Sequence, residues 1–167
     1  FEPLGIMDNV SVRYVRNTRE LSTPDLIIIP GTKSTISDLI RLRESGLESA
    51  ILRLNRGEKK VPIIGICGGF QMLGNSVSDP LKVECGISFV RGMGLLDMDT
   101  VFEREKITSQ YEGRLPEIEG FFGSLSNLNV KGYEIHSGRS FAGEEKAPLI
   151  LSNDNVLGTY IHGFFDR

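Results

Sequence analysis

Residues 61–74 read VPIIGICGGFQMLG, and this stretch decides how the rest of the chain is interpreted. An apolar run typical of a β-strand leads into Gly-Ile-Cys-Gly-Gly, and a sequence able to start a helix follows. Cys67 stands at the junction, with Gly65 and Gly69 two residues before and after it. This G-x-C-x-G spacing predicts a nucleophile elbow, because a reactive side chain on a sharp strand-to-helix turn leaves no room for bulk on either side.

An elbow at this position predicts two contributions to catalysis. Cys67 is expected to stand exposed above the sheet edge, and the backbone N–H of Gly68 is expected to lie at the amino end of the next helix. That end favours negative charge, so it would lower the thiol pKa and help to bind an oxyanion. The alternative is a buried structural cysteine beside a flexible Gly-Gly turn.

The composition of the chain excludes several classes of protein. The chain has 167 residues, of which 40% are hydrophobic, and this is the size of a single domain with a core of its own. The net charge is −3, and no basic cluster interleaved with aromatic residues points to nucleic acid. The longest apolar runs are far shorter than a membrane-spanning helix. Two cysteines and two histidines fit neither a disulfide framework nor a zinc site, so we expect a cytoplasmic protein without a metal.

The first half alternates strand and helix patterns. Strands are predicted at 10–15, 25–30 and 61–66, and helices at 34–43, at 47–55 and after Cys67. This order predicts an α/β fold with a parallel sheet. The second half predicts a loop-rich antiparallel extension, with strands at 94–102, 106–111, 130–135, 149–152 and 156–161, the last two joined as a hairpin by residues 153–155.

A cysteine nucleophile needs a base, and the two histidines each end one of these strand patterns. His162 is the preferred base, because it follows the apolar strand that precedes Gly163, where side chains meet an elbow at the same sheet edge. The alternative is an ordinary polar residue at a strand end. His136 ends the strand predicted at 130–135.

The loop Pro30–Thr35 also joins a strand to a helix and resembles the end of a phosphate-binding loop. Thr32 and Ile27 occupy positions where that motif requires glycine, so nucleotide binding is rejected. The N–H groups around Gly31 and Thr32 are instead expected to face that of Gly68 as a second oxyanion donor. An ordinary turn is the alternative.

Four blocks of sequence resemble one family. The chain resembles the class I (triad-type) glutamine amidotransferases, and within them the carboxy-terminal domains of cobyric acid synthases, in PDLIIIPGTKSTISDL (24–39), GICGGFQMLG (65–74), GYEIHSGRS (132–140) and GTYIHGFFD (158–166). The resemblance implies a three-layer, flavodoxin-like fold, with a mostly parallel sheet, helices on both faces and an antiparallel extension.

By position, the resemblance makes Cys67 the nucleophile and His162 the catalytic histidine. It places Gly31, Thr32 and Gly68 in the oxyanion region, and it assigns the glutamine pocket to Gln71, Tyr133, His136 and Ser137. Most class I members follow the catalytic histidine with Pro and Glu, whereas Gly163 and Phe164 stand here, so the third triad member is unassigned. Asp166 is interpreted as a first-turn acid of a following helix.

The resemblance also implies a reaction and a partner. Glutamine would be hydrolysed through a thioester, and ammonia would pass to a synthetase domain that amidates corrin carboxylates with ATP and Mg²⁺. The resemblance implies that this domain lies upstream. A longer parent chain is also expected because this sequence starts at Phe1 without Met and stops just after an apolar pattern begins. No cofactor is expected in residues 1–167 themselves. Alternatives are the amidotransferases of cobyrinic acid diamide or cell-wall lipid precursor synthesis, a related cysteine peptidase, and a non-catalytic docking module.

Overall fold

The computed structural model describes residues 2–165, so Asp166 and its predicted role lie outside the described residues. The ten strands form a central sheet of four and a second sheet of six, and helices flank the central sheet. The helices are α1 (Glu2–Gly5), α2 (Thr18–Leu21), α3 (Thr35–Glu44), α4 (Leu47–Arg56), α5 (Gly68–Leu73) and a 3₁₀-helix (Gly120–Leu125); the strands are β1 (Ile27–Ile29), β2 (Ile63–Ile66), β3 (Ser76–Ser78), β4 (Phe89–Arg91), β5 (Asp99–Arg114), β6 (Asn129–Ala142), β7 (Glu145–Lys146), β8 (Ile150–Asn153), β9 (Val156–Thr159) and β10 (Ile161–His162).

The central sheet has the order β1-β2-β9-β8, with β1, β2 and β9 parallel and β8 antiparallel to β9. Strand β2 is buried along its whole length, and its side chains alternate between two apolar clusters. Ile63 packs with helices α3, α4 and α5, whereas Ile64 and Ile66 pack with Phe122 of the 3₁₀-helix and the segment before it. Both faces of the sheet are therefore covered, and the predicted α/β class is confirmed.

Helices α3 and α4 form where the spacing of apolar residues predicts them. In α4, Leu47, Ala50 and Ile51 are buried, and these positions recur on one face of a helix. Arg43 at the end of α3 forms a two-pronged ion pair with the nearly buried Glu48 of α4, with N···O distances of 2.6 and 2.8 Å. The pair fixes the angle between the two helices, because a guanidinium and a carboxylate bind in one planar arrangement.

The second sheet has the order β10-β6-β5-β3-β4, and its long β5–β6 ladder is antiparallel. The two strands predicted at 94–102 and 106–111 are one strand, β5, with an irregularity in the ladder between Val101 and Lys106. His136 lies inside β6 rather than at a strand end, so that prediction is wrong. The β8–β9 hairpin turns at residues 153–155 as predicted.

The strand predicted at 10–15 is absent from the described residues. This segment has no regular backbone pairing, and all but one of its residues are exposed. Arg13 instead donates to Ser22 Oγ at 2.8 Å, and the N–H of Arg16 donates to Glu20 at 2.8 Å. Alternation of apolar and polar residues predicted a strand, but a strand also requires a neighbour to pair with. No helix within residues 2–165 has the length and apolar character needed to cross a bilayer.

Candidate active site

Cys67 occupies a strained turn between β2 and α5. Its backbone has φ 53° and ψ −110°, in the positive-φ region that side chains rarely adopt. The Cys67 N–H donates to the carbonyl of Thr159 at 2.8 Å, and the Cys67 carbonyl accepts from the N–H of Gln71 at 3.0 Å. These bonds hold the turn from the strand side and the helix side, so the predicted elbow is present.

The glycines around Cys67 allow α5 to approach the end of β1. A Cβ on Gly69 would lie 2.0 Å from the carbonyl oxygen of Ile29, and a Cβ on Gly65 would lie 2.5 Å from Leu73 Cδ1. A Cβ on Gly68 would lie 2.7 Å from Thr32 Cγ2. A side chain at Gly68 or Gly69 would force the elbow away from β1 and the Pro30–Thr35 loop, and one at Gly65 would force α5 away from β2, which explains the spacing seen in the sequence.

The structure brings Cys67, His162 and the predicted oxyanion loop together. A Cβ built on Gly31 would lie 3.4 Å from Cys67 Cβ and 3.5 Å from His162 Cε1. Cys67 and His162 therefore both lie next to Gly31. Thr32 is fixed beside them, since its hydroxyl donates to Asp38 and accepts from the N–H of Ser34. The loop and the elbow meet at the carboxyl ends of β1 and β2, as predicted.

The thiol is buried, contrary to the expectation of an exposed Cys67. Only 7% of the residue is accessible, and the thiol donates to the carbonyl of Ile135 at 3.4 Å. Burial raises the pKa of the thiol, although the N–H of Gly68 and the charge of Lys106 act in the opposite direction. The prediction of a lowered thiol pKa is therefore wrong, because desolvation of the thiolate outweighs the helix end.

His162 is held by stacking and carries an unused ring nitrogen. Its ring lies parallel to that of Tyr133, with centroids 5.0 Å apart and an interplanar angle of 10°. Its Nε2 is buried without a hydrogen-bond partner. Burial lowers the pKa of His162, the carbonyl of Ile135 opposes this, and the charge of His136 lowers the pKa further. A neutral imidazole with a free nitrogen is what a general base requires.

His136, by contrast, has both ring nitrogens engaged. Nε2 lies 2.8 Å from Glu134 Oε1 and Nδ1 lies 3.0 Å from the carbonyl of Gly138. Its ring also stacks on that of Tyr160, with centroids 3.7 Å apart. This geometry favours His162 over His136 as the base. Within the described residues, His136 forms an ion pair with a carboxylate, whereas His162 forms none.

Gln71 ties three elements together beneath the elbow. Its carbonyl oxygen accepts from Thr35 Oγ1 at 3.1 Å, and its amide donates to the carbonyl of Ser137 at 2.9 Å. Its side chain also hydrogen-bonds Tyr160, whose hydroxyl lies 2.5 Å from Ser140 Oγ. Burial raises the pKa of Tyr160 to about 12, so its hydroxyl stays protonated. The predicted pocket residues Gln71 and Ser137 are thus in direct contact.

Sequence reasoning missed several residues of this region. Glu134, Tyr160 and Ser140 are buried and polar, yet only the E-x-H spacing of residues 134–136 gave a signal, since residues two apart share one face of a strand. Glu84 was also missed: its carboxylate accepts from the N–H groups of Thr35 and Ile36 at 2.5 and 2.8 Å, and so caps α3 beside the oxyanion loop. Burial raises the pKa of Glu84, against the effect of these N–H groups.

A cavity of about 670 Å³ lies at the opposite edge of the sheet, near the amino ends of β1, β2 and β9, where Pro24, Lys60 and Asp154 line it. It is remote from Cys67 and contains none of the predicted site residues. Within residues 2–165, no three His, Cys, Asp or Glu side chains are grouped to hold a metal ion.

Comparison with solved structures identifies the class of fold. A solved structure described as "Crystal structure of glutamine amidotransferase" superimposes on this chain with a TM-score of 0.63 and 19% sequence identity. The superposition covers 96% of this chain and 82% of the other chain. At this identity the likeness concerns the fold alone. It is the fold that the resemblance implied, that of a glutamine amidotransferase domain.

Comparison of sequences then identifies the family. The family model of the CobB/CobQ-like glutamine amidotransferase domain matches residues 1–167. Cobyric acid synthase of Clostridium kluyveri is 41% identical over 99% of this chain, and that of Lachnoclostridium phytofermentans is 43% identical over all of it. The chain belongs to the CobB/CobQ-like glutamine amidotransferase domain family, which confirms the predicted family and enzyme class. It spans about a third of these relatives, 35% and 36% of their lengths.

Proposed function

We propose that this chain hydrolyses the side-chain amide of glutamine through a thioester on Cys67 and supplies the ammonia to an ATP-dependent synthetase domain. The observation that carries the proposal is the convergence of Cys67 and His162 at Gly31, since each has an atom within 3.5 Å of a Cβ built on that glycine and His162 Nε2 is buried without a hydrogen-bond partner. It brings a nucleophile, a base and a possible oxyanion loop within reach of one small substrate group.

The proposed reaction follows from these contacts. His162 Nε2 takes the thiol proton, and Cys67 Sγ attacks the amide carbon of glutamine. The N–H groups of Gly31, Thr32 and Gly68 stabilise the negative oxygen of the tetrahedral intermediate. The carbon–nitrogen bond then breaks, and ammonia leaves with the proton that His162 holds. Water hydrolyses the thioester, which releases glutamate and restores the thiol.

The base is necessary because the thiol does not ionise by itself at neutral pH. Burial raises the pKa of Cys67 and lowers that of His162, so the resting pair is thiol and imidazole rather than thiolate and imidazolium. The thiol also donates to Ile135, and it must turn away from that carbonyl before it can react. We infer that glutamine binding drives this rearrangement, with Tyr133, His136, Ser137 and Gln71 around the substrate.

The acceptor is proposed from the relatives. Cobyric acid synthases cover the chain from end to end and extend well beyond it, which supports a synthetase domain in the same polypeptide as partner. In this proposal residues 1–167 form one amidotransferase domain without a cofactor, and the synthetase domain upstream of it uses ATP and Mg²⁺. The acceptors are corrin carboxylates, and the protein works in the cytoplasm. Amidation of cobyrinic acid or of a cell-wall lipid precursor is the competing assignment.

The test begins with a glutamine-mimicking diazo ketone and peptide mass mapping. We expect label on Cys67, and no label after Cys67→Ser. Cys85 provides the internal control, because it is the other free cysteine and is less buried than Cys67. Label on Cys85 alone would exclude the proposed nucleophile. Hydrolysis of peptides but not of glutamine would indicate a peptidase, and no adduct at all would indicate a docking module.

The partner is tested by measuring glutamine turnover in this chain and in a full-length synthase that contains it, with and without ATP and a corrin acceptor. We expect this chain alone to be slower, because no carboxylate pairs with His162 in the described residues and the thiol rests on Ile135. Equal turnover under all conditions would show that the synthetase domain only receives ammonia. Amidation of another acceptor would replace the corrin assignment.

A further inference from the structure

The Glu134–His136 ion pair is a buried feature that the proposed reaction does not use. Glu134 and His136 are each only 5% exposed, and their side chains lie on the same face of β6, two residues apart. Glu134 Oε1 lies 2.8 Å from His136 Nε2, and Glu134 Oε2 accepts from Ser109 Oγ at 2.9 Å. A buried ion pair is retained at a desolvation cost, so this one calls for an explanation.

The hydrogen-bond partners determine where the protons are. His136 Nδ1 faces the carbonyl of Gly138, which can only accept, so Nδ1 carries a hydrogen. Nε2 faces a carboxylate oxygen, so one further proton lies between Nε2 and Glu134 Oε1. Its loss would leave a lone pair directed at a buried carboxylate. The pair therefore keeps this proton and is neutral as a unit.

The pair brackets the part of β6 that borders the site. The carbonyl of Ile135, between the two paired residues, accepts from the Cys67 thiol at 3.4 Å. The carbonyl of Ser137, the next residue, accepts from Gln71. Tyr133, the preceding residue, stacks on His162. Each residue next to the pair thus contacts a different component of the candidate site.

We propose that Glu134 is a positioning residue for glutamine binding, which holds His136 through their shared proton and so fixes the Tyr133–Ser137 wall against the elbow. The inference rests on the proposed function, because the wall is assigned there to the glutamine pocket. Without the pair, the Tyr133–Ser137 segment becomes more mobile, and binding of glutamine then has to order it. The expected signature is weaker binding of substrate, with a smaller effect on the chemical step.

The kinetic test compares three variants in steady-state glutamine hydrolysis. Glu134→Ala should raise KM about tenfold, the size expected from losing a buried hydrogen bond, with kcat changed less. Glu134→Gln should lie between it and the wild type, because its amide N–H can donate to a neutral His136. Glu112→Ala is the control, since Glu112 forms an exposed ion pair with Lys131 in the same β5–β6 ladder and should leave both constants unchanged.

A merely structural role for Glu134 predicts a different result. It would lower the fraction of folded enzyme and hence the apparent kcat, while the KM of the surviving molecules stayed the same. An unchanged KM in Glu134→Ala would therefore overturn the proposal. Should Glu134→Ala fail to fold, the isosteric Glu134→Gln decides the matter by the same criterion.

A second measurement is independent of catalysis. The chain has two histidines, so a spectrum of ¹⁵N-histidine-labelled protein contains two imidazoles, which His162→Gln assigns. At neutral pH, a one-bond ¹⁵N–¹H coupling should show a hydrogen on Nε2 of His136 in the wild type, where this nitrogen faces Glu134, and none in Glu134→Gln, whose amide donates to it. A wild-type His136 without a hydrogen on Nε2 would overturn the shared proton. This spectrum reports on the Glu134–His136 pair whether or not glutamine is the substrate. It therefore distinguishes failure of the proposed function from failure of this inference.

Discussion

The two sides of the candidate site are built from different interactions. On the elbow side (residues 30–35 and 63–73), backbone lies directly against backbone, and a Cβ at Gly69 would come within 2.0 Å of a carbonyl oxygen. On the strand side (residues 132–138 and His162), stacked rings and buried hydrogen bonds hold the side chains. The elbow side therefore depends on the absence of side-chain atoms, whereas the strand side depends on their presence.

This difference means that the two sides should fail differently. Added bulk on the elbow side should cost stability before it affects any single catalytic step. Removal of a polar group on the strand side should alter binding or proton transfer in a protein that still folds. The predictions below test this contrast, from the largest expected effect to the smallest.

The largest effect is expected within the strand side, between its two histidines. His162→Ala should lower kcat by about 10⁶-fold, as loss of the histidine does in a comparable triad, whereas His136→Ala should mainly raise KM. The reason is that His162 has a free buried nitrogen while His136 has none. The measurement is kcat and KM for glutamine in each variant. An equal loss of kcat in both would leave neither histidine distinguished as the base.

The next effect is expected on the elbow side. Gly69→Ala should lower the free energy of unfolding by about 3 kcal/mol, because the new methyl group would collide with the Ile29 carbonyl and backbone must move. Gly86→Ala is the matched control, since nothing lies within 4 Å of a Cβ at that position. Urea unfolding of both variants measures the difference. If the two lose the same stability, close packing does not explain the elbow glycines.

The smallest effect concerns pH and links the two sides. Because burial lowers the pKa of His162, its neutral form persists in more acidic solution, and the acid limb of kcat/KM should have its midpoint below about pH 6.5. His136→Gln should move that midpoint upward, because it removes the imidazole whose charge lowers the pKa of His162 and leaves the carboxylate of Glu134 without its partner. A midpoint above 6.5 in the wild type, or a downward shift in the variant, would contradict this account.

The elbow side could be predicted from the sequence because its constraints are local. Gly65, Cys67 and Gly69 lie within five residues, and the helices at 34–43 and 47–55 carry their own periodicity. The structure places all three residues as that spacing requires. Burial of the thiol could not be predicted in the same way, because it comes from Ile135, which is distant in sequence and reaches Cys67 only through the fold.

The strand side was predicted poorly because its constraints are not local in the sequence. His136 was recognised as a residue of this region only through the family resemblance, and Glu134 was not recognised at all. The function of both depends on the register of β6 against β5 and β10, which pairs residues far apart in the chain. Alternating patterns such as that of residues 10–15 indicate that a strand is possible, but they do not identify a partner strand.

The strained backbone conformation of Cys67 implies a trade-off between stability and activity. A non-glycine residue in such a conformation costs about 1–3 kcal/mol, and a glycine would adopt φ 53° without that strain. Selection for thermal tolerance alone would therefore favour Gly at position 67, in a protein that lacks the proposed nucleophile. Laboratory evolution of a more thermostable variant should accordingly select for turnover in every round, because this stabilising change at the elbow would also remove the proposed nucleophile.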